Sequence, residues 1–217
     1  MIDPTLPGAV IAVVRLPEAI DLGPLAEALS AGGVTAVEIT LTTPGAVASL
    51  GELTATGGVS GCLVGAGTVL DERAARDVIA AGARFVVSPT LELGVLRCCR
   101  DRHVPCIPGA LTPTELLGAS RAGASLVKLF PASAVGPRYL REVLAPLPSL
   151  RVVPSGGVSL ETTSDWIRAG AVAVSVGSAL VSPSLVRDGA WDQLTARARA
   201  FVDAVADARR QIAAAPA

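Results

Sequence analysis

Two ionisable side chains stand where apolar strand residues are expected. Lys128, the only lysine among 18 lysines and arginines, sits in Ser125-Leu126-Val127-Lys128-Leu129-Phe130-Pro131. Glu38 sits in Val37-Glu38-Ile39-Thr40-Leu41. A charge inside a buried strand is costly unless it has a partner or a task. Burial disfavours an ammonium, and a neutral amine can add to a ketone and lose water to form an imine. Arginine stays protonated and cannot do this, so one buried lysine in an arginine-rich chain reads as a nucleophile. A partly buried glutamate suits the proton transfers at the carbinolamine and at the enamine carbon. The competing reading is structural: Lys128 and Glu38 as an ion pair, or Glu38 paired with an arginine.

Two glycine-bearing stretches could hold a phosphate. Pro154-Ser155-Gly156-Gly157-Val158 and Val176-Gly177-Ser178-Ala179 follow the last two strand candidates. Glycine lets backbone N–H groups approach phosphate oxygens, and a following helix N-terminus favours an anion.

These residues need a scaffold. Short apolar runs alternate with amphipathic segments along most of the chain. The strand candidates are Ala9–Val14, Ala36–Leu41, Cys62–Gly65, Phe85–Ser88, Pro105–Ile107, Leu126–Phe130, Val152–Pro154 and Ala173–Val176. They are apolar on both faces, as buried parallel strands require. Helical patterns between them include Pro24–Ala31, Glu72–Ala81, Pro113–Ala122 and Leu160–Ala169. A weak repeat marks helix ends: Ala31-Gly32-Gly33, Ala81-Gly82-Ala83, Ala122-Gly123-Ala124 and Ala169-Gly170-Ala171. Thr112-Pro113-Thr114-Glu115 offers a capping box with proline at the first helical position. Eight strands, each followed by a helix, predict a single (β/α)₈ TIM barrel occupying residues 1–217 as one domain. The final helix is expected at Trp191–Gln211, with a frayed tail over about 212–217. Pro131 then ends the Lys128 strand at the face where such barrels carry their active sites. A doubly wound open sheet is the runner-up, and no GxGxxG follows the first strand to support it.

Composition excludes several classes. With 51% hydrophobic and 17% charged residues and a net charge of −1, the chain is globular and lacks a basic stripe for nucleic acid. No apolar run reaches the roughly 18 residues of a membrane span. The apolar run Gly8–Val14 is short, and Asp3 stands where a secretory signal wants a basic residue, so the expected location is cytoplasmic. Cys62, Cys98, Cys99 and Cys106 show no CxxC spacing and accompany one histidine, His103, so no metal site is expected and the thiols read as buried and free. His103, Tyr139, Trp166 and Trp191 carry no chemical signal and read as structural.

As an ordered set, these motifs resemble the 2-keto-3-deoxy-6-phosphogluconate (KDPG) aldolase family. The resemblance runs from Val10 to Leu180 through Val37–Leu41, Gly65-Ala66-Gly67-Thr68-Val69, Ser88-Pro89, Pro108-Gly109, Lys128–Pro131, Pro154–Val158 and Gly177-Ser178. It implies a class I aldolase in which Lys128 forms an imine with pyruvate or the keto acid. Glu38 is then the acid/base acting through a water, and Thr68 bonds the pyruvyl carboxylate. Pro89 and Phe130 shape the pocket, while Gly156, Gly157, Gly177 and Ser178 hold the phosphate. It further implies a homotrimer, with no metal and no cofactor beyond the covalent imine. Many members carry an arginine four residues after the glutamate; here that position is Thr42. The galactonate-type relatives also lack it and carry an arginine just after the first strand, where this chain has Arg15. Arg15 is therefore expected to supply the guanidinium for the substrate carboxylate.

Substrate choice stays open at this stage. Phe130–Pro137 resembles the galactonate type, whereas Thr40 and Ser155 resemble the gluconate type, and Ser155 is placed to meet the C4 hydroxyl. The reading leans to KDPG, cleaved to pyruvate and glyceraldehyde 3-phosphate. The alternatives are 2-keto-3-deoxy-6-phosphogalactonate, 4-hydroxy-2-oxoglutarate, an imine-free phosphate-barrel isomerase or synthase, and a non-catalytic sugar-phosphate binder.

Overall fold

A computed structural model describes residues 10–214. The expectations about Asp3, Gly8 and Ala9, and about residues 215–217, lie outside this range. The described elements run β1 Val10–Val14, α1 Leu22–Ala31, β2 Ala36–Thr40, α2 Ala46–Ala55, β3 Leu63–Gly67, α3 Glu72–Ala80, β4 Val86–Val87, α4 Leu93–Asp101, β5 Cys106–Ile107, β6 Gly109–Ala110, α5 Pro113–Arg121, β7 Val127–Leu129, α6 Gly136–Leu144, β8 Val152–Pro154, α7 Leu160–Arg168, β9 Val174–Val176, α8 Pro183–Arg187 and α9 Trp191–Ala214. Helix α9 runs from Trp191 to Ala214. Among the described residues no helix is long and apolar enough to cross a membrane.

The expected closed eight-stranded barrel is not what the strands form. They build two parallel sheets, one of six strands in the order β5-β4-β3-β2-β1-β9 and one of three in the order β6-β7-β8. A proline sits at each seam. Pro108 divides the run 106–110, so that Val86 and Val87 pair with Cys106 and Ile107 while Gly109 and Ala110 pair with Lys128 and Leu129. Pro154 ends β8, and β8 joins β9 through an isolated bridge, Ser155 to Ser175, and a bond from Val172 N–H to Val152 C=O rather than through a continuous ladder. A proline has no N–H to donate, so each seam lacks one ladder bond, although Pro108 C=O still accepts from Lys128 N–H and Gly109 N–H donates to Thr90 C=O.

Strand alternation decides what each sheet presents on its two faces. Val10, Ala12, Val14, Val37, Ile39, Val127, Leu129, Val152, Val174 and Val176 join the large core under the helices. Ile11, Ala36, Val87, Ile107, Leu126, Val153 and Ala173 join Phe85 in a smaller inner cluster that draws on both sheets. Two residues along each strand from members of that inner set stand Val13, Glu38, Lys128, Ser155 and Ser175. The same period that packs the inner cluster therefore stacks the polar side chains above it, toward the C-terminal ends of the strands.

The helix ends follow the glycine repeat. At each, one N–H bonds back three residues and the next bonds back five: Gly33 to Ser30 and Val34 to Leu29, Gly82 to Ile79 and Ala83 to Val78, Gly123 to Ser120 and Ala124 to Ala119, Gly170 to Ile167 and Ala171 to Trp166. These glycines have φ of 89°, 98°, 101° and 102°, the left-handed conformation that closes such a turn. The Thr112–Glu115 capping box forms as expected.

Candidate active site

Lys128 is the middle residue of β7 and Glu38 the middle residue of β2. Their side chains meet across the inner space, with Nζ 3.9 Å from Oε1. Both are buried, Glu38 to 1% and Lys128 to 6% exposure. The Lys128 ammonium also lies 5.1 Å from the centroid of the Phe130 ring. Neither Glu38 oxygen has a hydrogen-bond partner among the described residues. Burial pushes the Glu38 carboxyl above the usual carboxylate range, and the cations Lys128 and Arg15 pull it partly back. A buried carboxyl with two unused acceptors, beside an amine it does not directly bond, can exchange protons with a third group placed between them.

Room for this carboxyl comes from Gly67 on β3. A Cβ there would lie 1.8 Å from Glu38 Oε1, so any side chain would displace the acid. Thr68 follows at once, half-buried, with φ of 61°. A β-branched residue in that region is strained, and such strain tends to collect at working sites.

A cavity of about 490 Å³ opens above the pair, lined by Val13, Arg15, Lys128, Phe130, Ser155, Gly156, Gly157, Val158, Ser159, Gly177, Ser178 and Ala179. Eight of the sequence-selected residues thus share one wall: Arg15, Lys128, Phe130, Ser155, Gly156, Gly157, Gly177 and Ser178. Gly156 and Gly157 have φ of 86° and 79°, and a Cβ on Gly157 would lie 2.5 Å from Ser133 Cβ. Helix α7 starts just after this loop, with Ser159 as its N-cap. The second loop leads instead into a turn in which Leu180 and Val181 both donate to Gly177 C=O, and α8 begins only at Pro183.

Four selected residues lie off this wall: Glu38, which reaches it only through its contact with Lys128, and Thr42, Thr68 and Pro89. Thr42 is exposed and its hydroxyl is 3.0 Å from Thr40 Oγ1. Thr68 stands beside the Glu38 pocket, and Pro89 packs where a Cβ at Gly109 would meet its carbonyl oxygen at 2.1 Å. The sequence reading passed over Thr43 and Ser175. Both are buried hydroxyls; Thr43 accepts from Leu16 N–H at 3.1 Å, and Ser175 accepts from Ser155 at 3.4 Å. A hydroxyl within an apolar strand was the available signal for Ser175, while Thr43 follows its strand and gave none.

Away from the cavity the four cysteines are free, with Cys98, Cys99 and Cys106 buried and Cys62 half-buried. Burial pushes the Cys62 thiol up to about 11. Among the described residues no group of three or more His, Cys, Asp or Glu side chains could hold a metal ion.

Comparison with known proteins agrees with this geometry. The family described as KDPG and KHG aldolase matches residues 4–197. The 2-dehydro-3-deoxy-phosphogluconate aldolase of Pseudomonas aeruginosa is 35% identical over 202 residues, 93% of this chain and 91% of its own. A Rhizobium meliloti protein named "Probable 2-dehydro-3-deoxy-6-phosphogalactonate aldolase" is 38% identical over 73% of this chain and 74% of its own. The crystal structure of KDPG aldolase from Legionella pneumophila, with pyruvate captured as a covalent carbinolamine, superposes with a TM-score of 0.84 at 32% identity, covering 91% of this chain and 96% of that one. The chain belongs to the KDPG and KHG aldolase family.

Proposed function

We propose that the protein is a class I, pyruvate-forming aldehyde-lyase that cleaves 2-keto-3-deoxy-6-phosphogluconate to pyruvate and glyceraldehyde 3-phosphate. The observation that carries this reading is the buried Lys128 amine, 3.9 Å from the unsatisfied Glu38 carboxyl, on the wall of a cavity bordered by two glycine loops.

Lys128 Nζ adds to the C2 carbonyl to give a carbinolamine, which loses water to an imine. Removal of the C4 hydroxyl proton sends the C3–C4 electron pair toward the imine nitrogen. The aldehyde leaves and an enamine remains. A proton delivered to C3 converts the enamine to the pyruvate imine, and water returns pyruvate and the free amine. Glu38 carries the protons through a water, which suits a carboxyl held above its usual range by burial. Arg15 receives the substrate carboxylate together with Thr68, while Pro89 and Phe130 shape the pocket. Gly156, Gly157, Gly177 and Ser178 hold the phosphate, helped by the N-terminus of α7. Ser155 faces the C4 hydroxyl. Thr42 leaves the arginine position of other members vacant, and Arg15 fills that charge from just past the end of β1. The whole chain acts as one domain, works in the cytoplasm and assembles as a homotrimer.

The deciding experiment is peptide mass spectrometry after incubation with pyruvate and borohydride. One reduced pyruvate on the Lys128 peptide is expected. Absence of an adduct would leave Lys128 as an ion-pair partner of Glu38 and return the protein to the imine-free phosphate-barrel reading. Comparing cleavage of the gluconate and galactonate epimers, and of 4-hydroxy-2-oxoglutarate, then fixes the substrate.

A further inference from the structure

We infer that Thr40 and Thr43 form a hydroxyl clamp that holds the backbone on both sides of Arg15 and so presents its guanidinium at the cavity; this rests on the assignment of Arg15 to the substrate carboxylate. Arg15 is the first residue past β1, one step beyond the last β1–β2 register pair, Val14 with Ile39. Its side chain is exposed and makes no ion pair or hydrogen bond with any described residue. Its placement therefore depends on its backbone. The groups flanking that backbone are tied down from one place. Thr40 Oγ1 donates to Val14 C=O at 3.1 Å, and Leu16 N–H donates to Thr43 Oγ1 at 3.1 Å.

The two hydroxyls are themselves 3.4 Å apart. Proton counting gives the chain a direction. A hydroxyl has one proton, and Thr40 spends its own on Val14. Thr43 must then donate to Thr40, and so must Thr42 at 3.0 Å. The chain runs from Leu16 N–H through Thr43 and Thr40 to Val14 C=O, closing around Arg15. Thr40 is 0% and Thr43 4% exposed, so solvent cannot stand in for either hydroxyl if it is removed. Thr43 and Thr40 are positioning residues here, acting through Arg15 without touching the substrate.

The test uses pyruvate as the probe, and the readout is the concentration that gives half-maximal borohydride trapping on Lys128. Thr43→Val is expected to raise it by about fivefold to tenfold, the scale of one buried hydrogen bond, with the saturating trapping rate unchanged. Thr43→Ala should rise likewise, while Thr43→Ser, which also lacks the methyl but keeps the hydroxyl, should match wild type. Should Thr43→Val fail to fold, the Ala and Ser variants carry the test alone. In an Arg15→Ala background the same substitutions should add nothing further. If Arg15→Ala raises the half-saturating concentration but Thr43→Ala and Thr43→Val do not, the clamp is wrong and the Arg15 assignment stands. An equal rise in both backgrounds would make Thr43 merely structural and overturn the clamp. If Arg15→Ala has no effect, the Arg15 assignment fails and the clamp falls with it.

Discussion

The two ends of the strands are built to opposite rules. At their N-terminal ends, helices finish on left-handed glycines whose N–H groups, with those of the residues that follow, bond back to helix carbonyls. Hydrogen bonding there is closely repeated from one helix end to the next. At their C-terminal ends lie Glu38 Oε1 and Oε2 and Ser88 Oγ, the buried side-chain polar atoms without a partner among the described residues. The strained Thr68 and the cavity are at that end too. Leaving a buried acceptor unpaired costs about 1–3 kcal/mol. One end of the molecule thus supplies stability, and the other spends some of it to keep reactive groups unsatisfied. Substitutions should separate the two: changes at one end should alter activity with little loss of fold, and changes at the other the reverse.

The largest effect is expected from Lys128→Ala, which removes the amine. Cleavage should fall by at least about two orders of magnitude with secondary structure retained; residual activity above about a per cent would point to another nucleophile. The same variant has a pH signature. Without the Lys128 charge, burial drives the folded-state Glu38 carboxyl further above its ordinary value of 4.5. A carboxyl raised in the folded state gives stability that is present at low pH and lost as pH rises toward its folded value. Melting of Lys128→Ala should therefore drop further below wild type as the pH climbs from 4 to neutrality by about 3 units; a gap that stays constant would contradict the coupling.

Glu38→Gln comes next. Turnover should slow by roughly 10² while borohydride trapping of pyruvate partly survives. A wild-type rate of pyruvate methyl proton exchange in this variant would remove Glu38 from the mechanism. In wild type, activity needs the deprotonated carboxyl, so the acidic limb of the profile should lie above the ordinary carboxylate range. Arg15→Ala should shift it higher still, because Arg15 is one of the two cations that lower the Glu38 value.

Gly170→Ala probes the opposite end. Its φ of 102° disfavours a side chain, and a Cβ would lie 2.5 Å from Leu144 Cδ1. A loss of about 1–2 kcal/mol in denaturant unfolding is expected, with turnover unchanged. The smallest effect is a gain. His103 closes α4 as the glycines close other helices, with its N–H bonded to Arg100 C=O and Val104 N–H to Cys99 C=O, yet it holds φ of 56° as a non-glycine. His103→Gly should raise stability by about 0.5–1 kcal/mol and leave activity alone. A change in KM in either variant would mean that the two ends are not independent.

Much of this was legible in the chain. Each strand candidate contains or overlaps a real strand, the four glycine turns and the Thr112 cap form as read, and Lys128 and Glu38 converge. Local rules cover these features: period-two burial, left-handed glycine, and the cost of a charge in an apolar run. The closed barrel did not follow. Counting strands says nothing about which edges bond, and the strands divide into two sheets at seams where Pro108 and Pro154 each lack a ladder donor. Thr43 was missed for a similar reason, since its partner Leu16 is 27 residues away and no local pattern links them.

The amino-acid sequence by itself determined the parts: buried parallel strands, helices with defined ends, one amine and one acid at inward positions, and glycine-bearing loops after the last two strands. Only the tertiary structure decided their relations. It brought Nζ to 3.9 Å from the carboxyl, cleared the space at Gly67, withheld partners from Glu38 and closed the hydroxyl chain around Arg15. The physical reason is range. Alternation, capping and glycine conformation act over a few residues, whereas distance, desolvation and an unsatisfied acceptor arise only when elements far apart in the chain pack together.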